Sequence, residues 1–420
     1  MQAPDPSAVP LNGSSANGAG GTSAAILERY ADLIVHFAAN VQPGQVVAIS
    51  TEPGKLDLTR AIAESAYRAG AKFVDVQLFD LKVKRARILH AAEDTLDYVP
   101  PWWGERVLAL SELRAARVGL SGPSMPGVLS DLDPARAGRD QMPFLRESAQ
   151  VVNARTTNWT AVPCPTPPWA ELVFPDTAPD EAMARLWERV LHICRLDEDD
   201  PVAAWRERQD ALSGAAARLT AFAFDALHFE GPGTDLRVGL LPTSRWISAR
   251  FQTLDGIEHM PNLPSEEIFT TPDPLRVDGV VRSTKPLVAG GTIIRGLRAR
   301  FEAGRAVSIE ADEGGELLAR YAERDEGASR LGEVALVDGA GRIGPLDTVF
   351  YDTLIDENAA SHLALGRAFP FLAPDAETQA RLNESDIHID FMIGRPDLTV
   401  TGITTDGDRV PVLVDGSWQV

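Results

Sequence analysis

Cysteine, histidine and positive charge are all scarce in this chain. Two cysteines in 420 residues, Cys164 and Cys194, cannot build a disulfide framework and suit a reduced, cytoplasmic setting. Lys and Arg total 40 against 60 Asp and Glu, a formal net charge of -20. A surface this acidic repels phosphate backbones and anionic headgroups, which argues against nucleic acid and membranes as partners. No run of about 18 apolar residues is present, so no membrane-spanning helix is expected. Also missing are G-x-G-x-x-G after the first strand, G-x-x-x-x-G-K-[ST], H-E-x-x-H and G-x-S-x-G. The first half therefore lacks a dinucleotide, kinase-like or serine-hydrolase signature.

What is present is a globular composition, 44% hydrophobic, long enough for two or three domains. Residues 1–24 are rich in Ala, Gly, Ser and Pro without a basic start, and read as a flexible tail rather than a secretory signal. From there to about residue 222 strands and helices alternate. Ile26, Tyr30, Leu33, Phe37 and Val41 space a helix capped by Ser23; Val46 to Ile49 is a β-branched run; a helix over 56–69 stops at Gly70; Phe73 to Val76 is the next strand. Further helices are expected near 103–115, 141–152, 179–194 and 201–217, with strands at 117–120 and 160–163. Strand, helix, strand with short joints predicts a parallel α/β domain over 25–222. Beyond a boundary at about 218–230 the pattern turns to short alternating strands broken by Gly, Pro and Asp-Gly turns, including one over Thr292 to Phe301. The expectation for 223–420 is a mainly antiparallel β domain interrupted by one helix around Glu357 to Phe369.

With seven histidines, each one's surroundings carry information. In His388-Ile389-Asp390 the period of two sends imidazole and carboxylate to one strand face, where they can share a cation or simply hydrogen-bond to each other. If a helix starts at Asn358, Glu357 sits at its lip and His362 about a turn inside, facing one site; separately they are a solvated carboxylate and a satisfied histidine. Glu333, within an apolar strand, needs a partner if its face is buried. Glu266-Glu267 is either surface charge or part of the same cleft, which His259, eight residues before Glu267, would also line. Mixed oxygen and nitrogen donors suit Zn²⁺, Co²⁺ or Mn²⁺.

The longer phrases carry a resemblance. Pro261 to Thr270 with Val277-Asp278-Gly279, Arg282 to Leu287, Asp325 to Val337, Asp356 to Phe369 and His388 to Gly394 closely resemble the thermophilic-type metallo-aminopeptidases, the aminopeptidase T / aminopeptidase S (PepS) family. Asn158-Trp159-Thr160 and Pro165-Thr166-Pro167 resemble its first half. The resemblance implies a homodimeric exopeptidase that removes N-terminal residues from peptides, with two divalent ions per chain. Carried over motif by motif, it implies metal ligands at Glu267, Glu333, His362, His388 and Asp390, with Glu357 as a further ligand or base. Seven residues after His362 the family has a Tyr associated with the metal site, and here Phe369 stands in its place. Losing a hydroxyl that stabilises a tetrahedral intermediate costs about 10²–10³ in rate; the hydroxyl is dispensable, replaced, or this paralogue is weakened. Two rivals remain at this point. One is a mononuclear non-haem iron ring-cleaving dioxygenase using His362, His388 and Asp390; the other is a dimeric scaffold that keeps metal for stability alone.

Overall fold

The computed structural model describes residues 23–140, 142–143, 146–289 and 292–420. The first half is built on four parallel strands in the spatial order Phe73–Leu78, Val46–Thr51, Ala116–Ser121, Trp159–Pro163. The Ser23 hydroxyl accepts from the Ile26 amide at 3.4 Å and starts the helix at Ala24, so Ala24 is helical; residues 1–22, the rest of the stretch expected to be a tail, lie outside the described residues. The helix Leu56–Arg68 stops where Gly70 takes a φ of +89°, which only glycine adopts without strain. Helices at Leu81–His90 and Pro167–Val173 were not expected. Only Ile88 of the former is buried, so no apolar stripe marks it in the sequence. The helix expected over 141–152 is Arg146–Ala154; residues 141, 144 and 145 lie outside the described residues.

The long helix Pro201–Phe222 ends at Ala223, whose φ of +48° breaks it. Beyond that point two antiparallel sheets pack face to face. One has eight strands, in the order Arg305–Glu310, Arg298–Glu302, Pro272–Arg282, Thr234–Leu240, Ala226–Gly231, Thr399–Ile403, Arg409–Val414, Ser417–Trp418. The other has five, in the order His388–Met392, His362–Gly366, Leu331–Val337, Glu267–Thr270, Ile247–Ser248. Ile268, Val334, Leu336, Leu363, Leu365 and Phe391 of the smaller sheet meet Leu227, Phe229, Val238 and Val400 of the larger in one core.

Two expectations fail here, and the helix Gly315–Ala322 was not expected in this half. The strand expected over 292–301 breaks into Thr292–Ile294 and Arg298–Glu302 around Gly296, whose φ is +63°. The helix expected over 357–369 is instead a short helical turn, Thr353–Asp356 and Glu357–Ala359, followed by the strand His362–Gly366. Every residue of that strand is buried. A strand covered on both faces shows no alternation, so a short apolar run reads equally well as helix.

The halves are joined by more than chain continuity. Met260, Leu263, Ile343, Phe350, Leu354 and Ile355 from beyond residue 222 lie in the same apolar cluster as Ile49, Val118, Val162 and Trp169. The Ala161 amide donates to the Pro261 carbonyl at 2.7 Å and the Leu263 amide donates to the Ala161 carbonyl at 3.0 Å. This parallel bridge covers the outer edge of the Trp159–Pro163 strand.

Candidate metal centre

Strand register decides which side chains meet. Glu333 stands opposite Ala364, which stands opposite Asp390; Gly366 stands opposite His388; Ala335 stands opposite His362. Paired residues share a face, as do residues two apart, so Glu267, Glu333, His362, His388 and Asp390 all leave the sheet face turned away from the common core. A bulge between Leu331 and Glu333 tunes this placement. It requires glycine: a Cβ on Gly332 would sit 2.3 Å from the Gly366 carbonyl oxygen. Glu357 reaches the same place from the helical turn before His362.

Three groups of side chains bring one ligand atom each within 4.8 Å of the others: Glu267, Glu333 and His362; Glu333, His388 and Asp390; Glu357, His362 and Asp390. His362 Nε2 lies 3.0 Å from Glu267 Oε2, and His388 Nε2 lies 3.1 Å from Glu333 Oε2 and 3.4 Å from Asp390 Oδ1. The first contact lacks hydrogen-bond alignment, which leaves Glu267 Oε2 buried with a charge contact but no hydrogen-bond partner. Each imidazole is held from behind. His362 Nδ1 donates to the Ala360 carbonyl at 3.2 Å and His388 Nδ1 to the Arg367 carbonyl at 2.7 Å. Since a carbonyl only accepts, the Nε2 atom of each neutral ring is left as a lone pair aimed at the carboxylates, the usual arrangement behind a metal-ligating histidine. An unpartnered buried carboxylate oxygen beside two such imidazoles is a donor set that fits divalent cations.

Electrostatics agree. Burial, then Asp390, Glu267 and Glu333, drive Glu357 well above the ordinary carboxylate range. Burial also raises Glu333, against the opposing pull of His388. Burial alone would lower His362, but its contact with Glu267 and the other carboxylates lift it to about 9. His388 likewise rises well above the usual imidazole range, burial being outweighed by Asp390 and Glu333, while His388 holds Asp390 down against burial. Protonated imidazoles thus neutralise the carboxylates, the task a cation would take over.

Six sequence-predicted residues (Glu267, Glu333, Glu357, His362, His388 and Asp390) come together. Phe369 lies beside them, its ring centroid 5.1 Å from that of His388. His259 does not join. It packs against Phe251 and Trp159 at 6.0 and 6.4 Å between ring centroids, and burial lowers it to about 4. Glu266 is not surface charge either: fully buried, it accepts from Arg195 at 2.7 Å and Arg208 at 2.5 Å, and Arg208 also reaches Asp338 at 2.7 Å. Sequence reasoning missed this network and Asn358, whose Oδ1 accepts from the Glu266 amide at 2.7 Å while its Nδ2 donates to the Leu354 carbonyl at 3.0 Å. Asn358 thereby ties the strand carrying Glu267 to the turn carrying Glu357. The signal available was the Glu266-Glu267 doublet itself, since neighbours in an extended chain point opposite ways.

Comparison with known proteins supplies the family. The chain is 42% identical over 402 residues to aminopeptidase T of Thermus thermophilus, an alignment covering 94% of this chain and 98% of that protein. The solved wild-type AmpT of Thermus thermophilus superposes with a TM-score of 0.87 at 41% identity, over 94% of this chain and 99% of that one. A 2,5-dihydroxypyridine dioxygenase from Pseudomonas putida superposes at a TM-score of 0.54 with 15% identity, covering 95% of this chain and 98% of that one, a likeness of fold alone. A family model of the thermophilic metalloproteases (M29) matches residues 23–418, and the chain belongs to that family.

Proposed function

We propose that this chain is a metal-dependent aminopeptidase that hydrolyses N-terminal residues from peptides with two divalent ions per chain, Zn²⁺, Co²⁺ or Mn²⁺. The observation that carries the reading is Glu333. It belongs to two ligand groups, one with His362 and Glu267, the other with His388 and Asp390, as a carboxylate bridging two neighbouring ions would. Glu357 and Asp390 complete the set beside His362. Ions held there lower the pKa of a water and polarise a peptide carbonyl.

The chain's own groups do the rest. Glu357, which reaches the cluster from the helical turn rather than from the sheet, would be the proton carrier: ionised beside bound cations, its carboxylate would take the proton of the attacking water and pass it to the departing amine. Glu267, the other carboxylate considered for this role, is assigned to ligation, its buried Oε2 having no hydrogen bond. The four carboxylates attract the ammonium of a peptide's first residue. Phe369 supplies no hydroxyl, so Phe369→Tyr tests whether its absence limits turnover. The working form in this reading is a cytoplasmic homodimer.

The iron dioxygenase reading needs His362, His388 and Asp390 around one ion. Among the described residues no three-ligand group contains both histidines, so the geometry favours the peptidase. The test is release of amino acids from short peptides by protein loaded with Zn²⁺, Co²⁺ or Mn²⁺, run beside elemental analysis. Two ions per chain with turnover is expected. Silence of both the protein and Phe369→Tyr at every loading, or a single iron with oxygen uptake, overturns the reading.

A further inference from the structure

The ligand face of the five-stranded sheet does not end at the imidazoles. Phe369 stacks at a tilt on His388 and continues into Phe269 at 5.4 Å and Phe371 at 5.5 Å between ring centroids. Phe371 in turn meets Phe251 at 5.3 Å. Ile247 and Leu372 pack into the same small cluster, which is separate from both large cores. Phe269 and Leu372 are buried, but Phe251, Phe369 and Phe371 keep part of their surface open. His388 and Asp390 are also the most accessible of the ligands, with side chains 19% and 10% exposed against 1% for His362. The metal centre and the aromatic cluster are therefore contiguous through the Phe369–His388 contact, and both partners keep some exposure there.

We infer that this wall of Phe369, Phe371, Phe269 and Phe251 receives the side chain of the substrate's first residue and selects bulky apolar or aromatic groups over charged ones. The inference rests on the peptidase reading and deepens it. Carboxylates hold the ammonium of the first residue at the ligand cluster, and a side chain leaving its Cα beside His388 meets Phe369 first. An aromatic or branched aliphatic group gains contact there with the open surfaces of Phe369, Phe371 and Phe251, backed by the buried Phe269. A lysine, arginine or aspartate side chain would have to leave its charge in water or bury it against the carbon of these rings. Phe369 belongs to this argument because it lacks a hydroxyl: a tyrosine would put a polar atom on an otherwise carbon surface.

The test uses the full chain loaded with Co²⁺ and a panel of 4-nitroanilides of leucine, phenylalanine, lysine and aspartate. The expected result is a kcat/KM at least about tenfold higher for the leucyl and phenylalanyl substrates than for the lysyl one, the scale on which apolar pockets discriminate. Phe371→Glu changes a ring that meets the ligands only through Phe369, and it should raise KM for the apolar substrates while narrowing or reversing the preference against lysine. Phe371→Leu should restore most of the apolar preference, and melting curves check that each variant is folded. Equal kcat/KM across the panel, or a preference untouched by Phe371→Glu, overturns the inference. If nothing is hydrolysed the peptidase reading fails, and calorimetric titration with L-phenylalaninamide and L-lysinamide decides the wall by itself: tighter binding of the former, lost in Phe371→Glu, supports it, and indifference refutes it.

Discussion

Asn358 shows how much of the site depends on a residue that touches no candidate ion. Its side chain bridges the Glu266 amide and the Leu354 carbonyl, so the two backbones carrying Glu267 and Glu357 are fixed relative to each other. Asn358→Ala should weaken metal binding about 10–100-fold, the usual loss when a supporting partner of a ligand is removed, measured by competition with a chromophoric chelator. His259 offers a separate check on burial. It is held at about 4 in the fold against the ordinary 6.5, so the unfolded chain binds the extra proton. Its contribution is neutral above pH 6.5 and turns destabilising as pH falls, reaching about 3 kcal/mol near pH 4. The difference in urea midpoint between the protein and His259→Phe should change over that window and stay flat above it. At this scale the sequence was legible where chemistry is local: His388 and Asp390 two apart on a strand, and Glu333 isolated among apolar neighbours. The Glu266 network was not legible, because its partners lie 58, 71 and 92 positions away in the chain.

Among the elements, the parallel first sheet was readable because its strands alternate with helices, and that order admits few topologies. The His362–Gly366 strand was misread for a physical reason: buried on both faces, it has no alternation to betray it. Glu357 and His362 still meet, through a tight turn and strand register rather than one helical face. The register itself hangs on the bulge at Gly332. A methyl group there would collide with the carbonyl oxygens of Gly366 and Arg367, at 2.3 and 2.5 Å. Gly332→Ala should destabilise the fold by more than about 1 kcal/mol and weaken metal binding together, because relieving the clash moves Glu333. A thermal melt and a metal titration on the same variant check both; loss of stability with unchanged affinity would show that the bulge does not set the ligand geometry.

For the whole molecule, the net charge of -20 and the site pull in one direction. Buried carboxylates are neutralised by imidazoles whose protons a cation must displace, so metal binding should release protons and strengthen as pH rises through about 9 for His362. Added Zn²⁺, Co²⁺ or Mn²⁺ should raise the melting temperature, by about 2.7 kcal/mol of stability at a hundredfold excess over Kd. That gain should shrink as pH falls and vanish with chelator, read by calorimetry across buffers of different ionisation enthalpy. The bridge from Pro261 and Leu263 onto Ala161 has a consequence for synthesis. On the ribosome the Trp159–Pro163 strand emerges well before the segment that covers it, and about 100 residues at the usual pace of translation is roughly 5–20 s. For that interval the nascent α/β half carries a bare hydrogen-bonding edge, so a fragment ending near residue 222 should be prone to edge-to-edge association that the complete chain escapes.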